Sequence, residues 1–230
     1  MYMNNSYHYF AWRWTWALGV VTASMCGVVG GGELAARMVL WQDDCHDPKA
    51  WQVTCHRDGQ VVTKQTRRPA LTRVVLPDGR AALRLAYRFP TRGHDAMLLT
   101  QRGLSVSGAA RLELEVEGDG SGHRLFAVLT EASGEQHLVQ PAQPINWKGL
   151  RTIFFDVASL RRTPKPHAVE PYHWGGDGNQ KLDDPIIAVT IGIDDQPDTF
   201  VGDGCLHLGA VRLLAADAAA GNTASEGRGK

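Results

Sequence analysis

The chain has 230 residues, 43% of them hydrophobic and 21% charged, with 24 basic against 24 acidic side chains. That length holds one sizeable domain with tails, and it carries enough apolar residues to bury a core. A formal charge of zero, with no run of like charge, argues against a nucleic-acid partner and against an electrostatic tail.

The first stretch differs in kind from the rest. Trp12-Arg13-Trp14-Thr15-Trp16 leads into an uncharged run of small and apolar residues from Ala17 to Gly32, followed by Glu33-Leu34-Ala35-Ala36. A basic residue, an apolar stretch and small residues in that order form a secretory signal, with cleavage expected after Ala36. The apolar run also approaches the ~20 residues that span a bilayer, so an uncleaved anchor is the alternative. Either reading of residues 1–36 exports the chain to a secreted, periplasmic or cell-envelope location. Membrane contact is then confined to that segment. Cys26 falls inside it, leaving Cys45, Cys55 and Cys205. In an oxidising location three cysteines allow one disulfide with one thiol left over. Cys45 with Cys205 fits if the first and last strands are antiparallel neighbours, and Cys45 with Cys55 is the local alternative. No pair has the spacing of a zinc site.

From Met38 the hydrophobic period is two. Met38–Asp44 is a short apolar run ending in acids, Asp47-Pro48 a turn, and Trp51–Thr54 a short strand. One irregular strand is expected around Leu71–Leu76. In Ala82–Phe89 the residues Leu83, Leu85, Tyr87 and Phe89 alternate with Arg84, Ala86 and Arg88. In Arg111–Glu117 the residues Leu112, Leu114 and Val116 alternate with Glu113, Glu115 and Glu117. Both patterns describe half-buried antiparallel strands. Gly118–Gly122 turns, and His123–Thr130, Ser133-Gly134-Glu135 and Gln136–Gln140 read as a hairpin that sets His123 across from His137. Arg151–Val157 is a further strand. Ala158–Lys181 has no periodicity and reads as a long loop, of the kind that in a compact domain carries function or is disordered. Pro185–Asp194 is the most apolar strand, Cys205–Leu214 closes the sheet, and 215–230 is a polar Ala/Gly/Ser-rich tail expected to be disordered. Turn-separated strands without an amphipathic helix predict an all-β jelly-roll β-sandwich of two antiparallel sheets over residues 37–214.

Three segments, Gly118-Asp119-Gly120-Ser121-Gly122-His123, Trp147-Lys148-Gly149-Leu150-Arg151 and His173-Trp174-Gly175-Gly176, occur in an order that resembles carbohydrate-binding-module-like domains of the galactose-binding-like jelly-roll superfamily. The resemblance runs from Val39 to Leu214. It implies a non-catalytic module whose partner is a polysaccharide or oligosaccharide. It also implies a structural calcium between the first and last strands, for which Asp43 and Asp44 are the oxygen donors. Gly209 and Ala210 stand where relatives of that kind carry acids.

A sugar site needs aromatic rings to stack on C–H faces and polar groups to fix hydroxyls. Tyr172, His173, Trp174 and Asp177 supply that mixture in the long loop, with Gly175, Gly176 and Gly178 allowing close backbone approach. Arg151 and Trp147 are further ligand-binding candidates, although an aromatic at such a turn more often covers a core edge. The enzymatic alternative is a glycoside hydrolase or polysaccharide lyase using Glu113 and Glu117, whose strand carries three carboxylates on one face. The same acids are also accounted for as a wet strand face paired with Arg84 and Arg88. A structural or assembly protein of the same fold is the third class.

Overall fold

The computed structural model describes residues 37–57, 60–62, 69–89, 95–161, 173–195 and 201–216. They form strands β1 (Val39–Asp43), β2 (Gln52–Arg57), β3 (Gln60–Val61), β4 (Ala70–Val75), β5 (Ala81–Phe89), β6 (Asp95–Val106), β7 (Ala109–Asp119), β8 (Arg124–Glu131), β9 (Gln136–Pro144), β10 (Lys148–Asp156), β11 (His173–Trp174), β12 (Ile186–Asp194) and β13 (Gly202–Ala215). Single 3-10 turns occupy Pro48–Ala50 and Ala158–Arg161.

Two antiparallel sheets result, as the period of two requires. The first runs β10-β7-β13-β5-β4, with β1 also pairing β13. The second runs β11-β9-β8-β12-β6-β2-β3. Alternate residues face inward: Leu83, Leu85 and Phe89 of β5, Leu112, Leu114 and Val116 of β7, and Leu206, Leu208, Val211 and Leu213 of β13. They meet Leu125, Ala127 and Leu129 of β8, Val189, Ile191 and Ile193 of β12, and Met97 and Leu99 of β6 in one buried cluster. Burial of apolar side chains at roughly 25 cal/mol per Å² makes this cluster the main source of stability. The expected all-β sandwich is therefore observed, and so is the pairing of first and last strands, with Trp41 opposite Leu213 and Asp43 opposite Val211.

Four expectations change. The twelve-residue strand β6 was not foreseen, because Gln101-Arg102-Gly103 interrupts its apolar run. Gly103 takes φ +80° there. His123 and His137 do not face each other, since His137 pairs with Leu129 and His123 lies before β8. The neighbour of β7 that carries basic partners is β13, not β5, so Arg84 and Arg88 stand one strand too far away. Finally, Cys45, Cys55 and Cys205 are all free thiols. Continuing the register from Asp43–Val211 carries Cys45 toward Gly209, about four residues (roughly 13 Å) along the sheet from Cys205. That separation is too long for a disulfide. Among the described residues no helix is long and apolar enough to cross a membrane.

Candidate functional site

The two-residue strand β11 sits at the outer edge of the second sheet. His173 pairs with His137 and Trp174 with Gln136. Strand alternation then fixes which way Trp174 faces. His137 is an inward residue, buried beside Leu129, so Trp174 and Gln136 belong to the outward face. Trp174 is 43% exposed. Following the pairing across the sheet gives one outward row: Trp174, Gln136, Thr130, Ala188, Arg102. The next row is Leu138, Val128, Thr190, Thr100, Gln52. Ala188, Val128 and Thr190 are buried although they face outward, and Thr100 and Thr190 share a hydroxyl hydrogen bond at 2.9 Å. A third row sets Phe126 beside Gly192, whose missing side chain leaves room for the ring: a Cβ there would lie 2.1 Å from Phe126. The face thus has a floor of small residues, an exposed indole at one rim, and amide, hydroxyl and guanidinium groups between.

Beneath Trp174 the loop is anchored to the β8–β9 hairpin by buried acids. Glu131 is 1% exposed and Glu135 is fully buried. Glu131 Oε1 accepts from the Ser133 hydroxyl at 2.5 Å and Oε2 accepts from the Asp183 backbone N–H. Glu135 Oε1 accepts from the Gln180 N–H at 3.3 Å. Gly176 lies so close to the hairpin that a Cβ would fall 2.3 Å from the Glu135 backbone nitrogen. Asp177 is exposed and accepts from both the backbone N–H and Nδ2 of Asn179, each at 3.1 Å. Asn179 Nδ2 also donates to Asp183 at 2.6 Å. Ligand atoms of Glu131, Asp177 and Asp183 converge within 4.8 Å of one another, as do those of Glu131, Glu135 and His137. The all-carboxylate set has the oxygen chemistry of a hard divalent cation. Sequence reasoning passed over Glu131, Glu135 and Asp183, because acids at hairpin ends and in loops ordinarily face water.

The other expected site residues separate. Tyr172 and the His173 side chain lie outside the described residues. Trp147 is buried, its indole packed where Gly118 lacks a side chain. It is a core-edge residue rather than a sugar platform. The exposed Arg151, on β10 of the first sheet, places its guanidinium 5.3 Å from the Trp147 ring centroid. Asp43 accepts from the Cys45 N–H at 2.6 Å and from Gln101 at 2.8 Å. The exposed Asp44 accepts from Gln42. These hydrogen bonds hold the corner that follows β1.

The outward face of the first sheet holds the carboxylates considered for hydrolysis. Glu113 and Glu115 both engage Arg212, at 2.6 and 2.8 Å. Glu117 Oε2 lies 2.9 Å from Nδ1 of His207. Glu113 and Glu117 stand four residues apart on one strand, roughly 13 Å between Cα atoms by strand rise, each engaged by a basic side chain of β13.

No protein-family model matches the sequence, and no curated protein matches it. Solved structures do share the fold. The family 11 carbohydrate-binding module of the cellulosomal cellulase Lic26A-Cel5E of Clostridium thermocellum superposes with a TM-score of 0.52 at 14% identity, over 80% of this chain and 97% of that one. The solution structure of CtCBM11 gives 0.51 at 16% identity, over 80% and 99%. The described residues therefore share the jelly-roll β-sandwich fold of these two structures.

Proposed function

We propose that this chain is an exported, non-catalytic glycan-binding module, and that the glycan lies along the outward face of the seven-stranded sheet with Trp174 at its rim. The observation that carries the reading is the outward row itself. An exposed indole stands in register with an amide, a hydroxyl and a guanidinium over a floor of small side chains. A pyranose offers C–H faces for the ring and hydroxyls for Gln136, Thr130 and Arg102. Carbohydrate-binding modules among the structures of like fold support the same ligand class.

The test is affinity electrophoresis of the protein through gels containing β-glucans, mannans, xylans or pectins, followed by calorimetry on whichever polymer retards it. Trp174→Ala should weaken binding by roughly tenfold or more while leaving the melting temperature within a few degrees, since an exposed ring that stacks on a ligand contributes about 1–3 kcal/mol to binding and little to the core. Arg102→Ala should weaken it less. Retardation by none of the polymers, or undiminished binding by the Trp174 variant, would sink the proposal.

A further inference from the structure

The first sheet carries a second constellation, independent of the glycan face. In the outward row Glu117, His207, Arg84, the His207 ring is flanked by a carboxylate on β7 and a guanidinium on β5. Glu117 Oε2 lies 2.9 Å from Nδ1 of His207, and Nε2 of the same ring lies 3.9 Å from Sγ of Cys205. Donation of Nδ1–H to the carboxylate fixes the tautomer in which Nε2 presents a lone pair to the thiol. A nucleophile, a base and a group that orients the base thus stand in line.

The adjacent row is small: Cys205 is opposite Ala86, and Ala86 opposite Ala70. Three short side chains side by side leave a cavity of about 480 Å³, open to solvent and lined by Arg84, Arg88, Asp119 and Asp203 as well as Cys205. Arg88 pairs loosely with Asp203 at 3.8 Å, and Asp119 is taken up by the backbone N–H groups of Ser121 and Cys205 at 2.8 and 2.7 Å. Among the described residues Arg84 has no carboxylate against it.

We propose that Cys205 is a reactive thiol that undergoes thiol–disulfide exchange with small disulfides that bear carboxylates, ending as their mixed disulfide, with the carboxylate held by Arg84. His207 Nε2 takes the thiol proton. The Cys205 sulfur attacks one sulfur of the disulfide, a new S–S bond forms to Cys205, and the original S–S bond breaks. The leaving thiolate accepts the proton from His207. Cys205 is oxidised to a mixed disulfide and half of the small disulfide is reduced, so atoms and electrons balance without a further reagent. The other thiols of the fold are built differently. Cys45 is fully buried, and burial followed by the charge of Asp43 pushes it well above the ordinary thiol range. Cys55 is also buried.

The test follows release of thionitrobenzoate from 5,5′-dithiobis(2-nitrobenzoate), an aromatic disulfide with two carboxylates, by the folded full chain carrying Cys26→Ser. One rapid equivalent is expected, lost in Cys205→Ser. His207→Asn should slow it by about a hundredfold, as removal of a positioned base does, and Glu117→Gln by about tenfold. Arg84→Gln should slow this reagent but not the uncharged 4,4′-dithiodipyridine. Both His207 and Glu117 face solvent, so circular dichroism of the variants should match the parent. A Cys205 that reacts equally fast with His207→Asn in place, or a mixed disulfide found by peptide mass on another cysteine, overturns the assignment. Failure of glycan binding has no bearing on it.

Discussion

Two tryptophans beside glycine turns, Trp147 and Trp174, meet opposite fates, and the difference lies in what each faces. Trp174 is placed by pairing with Gln136 and points away from the core, whereas Trp147 fills a slot opened by Gly118. A single sequence shows the ring and the glycine but not their contact, so Trp147 was legible only as a candidate with a packing alternative. Buried acids were the least legible residues of all. Asp195 is fully buried, its Oδ1 accepting from the Asp95 N–H at 3.2 Å, while Asp95 is held by Arg57 at 2.7 and 3.0 Å. Burial, then the neighbouring charge of Asp95, pushes Asp195 up to about 7. The folded state therefore keeps its proton where the unfolded chain has lost it. Its stabilising contribution is complete below about pH 4, the ordinary aspartate range, and declines as the pH rises to about 7. Denaturant midpoints measured from pH 4 to pH 7.5 should show the parent losing stability relative to Asp195→Asn over that window. Parallel curves would refute the protonated state.

At the scale of elements, periodicity succeeded wherever alternation was uninterrupted. β5 and β7 were legible because one face is apolar along their length, and β12 and β13 because their apolar runs outweigh the register shifts at Ile186–Ala188 and Leu208–Ala210. β6 was not, since it ends in a polar, glycine-containing stretch that spells a turn, and its strand pairing with β12 overrides that local preference. The loop Ala158–Lys181 was singled out as unpatterned, but the anchoring of its described part could not be read, because Glu131 and Glu135 come from a hairpin more than forty residues upstream. Gly176 is where that anchoring is most exposed to test. It has φ +57°, and an added Cβ would meet backbone of the hairpin, which cannot rotate away as a side chain can. Gly176→Ala should therefore lift the loop at a local cost of about 1–3 kcal/mol without unfolding the sandwich. Hydrogen exchange should show faster amides at Trp174 and Gln180 with the core strands unchanged, and glycan affinity should fall with the Trp174 platform. Unchanged protection across 174–183 would show that the hairpin yields instead.

For the whole molecule the decisive arrangement is that the first and last described strands lie in the same sheet. β13 pairs with β1, β5 and β7, so the last strand is the seam into which early and middle segments fit. Most contacts are consequently distant in sequence, and a fold of this kind gains its stability from one shared core rather than from local units. The polar outer faces add little, as isolated ion pairs at a surface contribute about 0–1 kcal/mol. A comparison of two leucines separates these sources. Leu213 is fully buried on β13, opposite both Trp41 and Leu112, whereas Leu150 on the sheet edge is 44% exposed. Leu213→Ala should cost about 2–5 kcal/mol, the transfer of the side chain plus the cavity it leaves. Leu150→Ala should stay within about 0.5 kcal/mol of the parent. Urea unfolding of the two variants, followed by tryptophan fluorescence and far-ultraviolet dichroism together, measures both differences. The two probes should also trace a single transition in Leu213→Ala, because loss of the seam weakens both sheets at once. A separate early transition seen by only one probe would mean that the sheets unfold independently and that the common core does not govern stability.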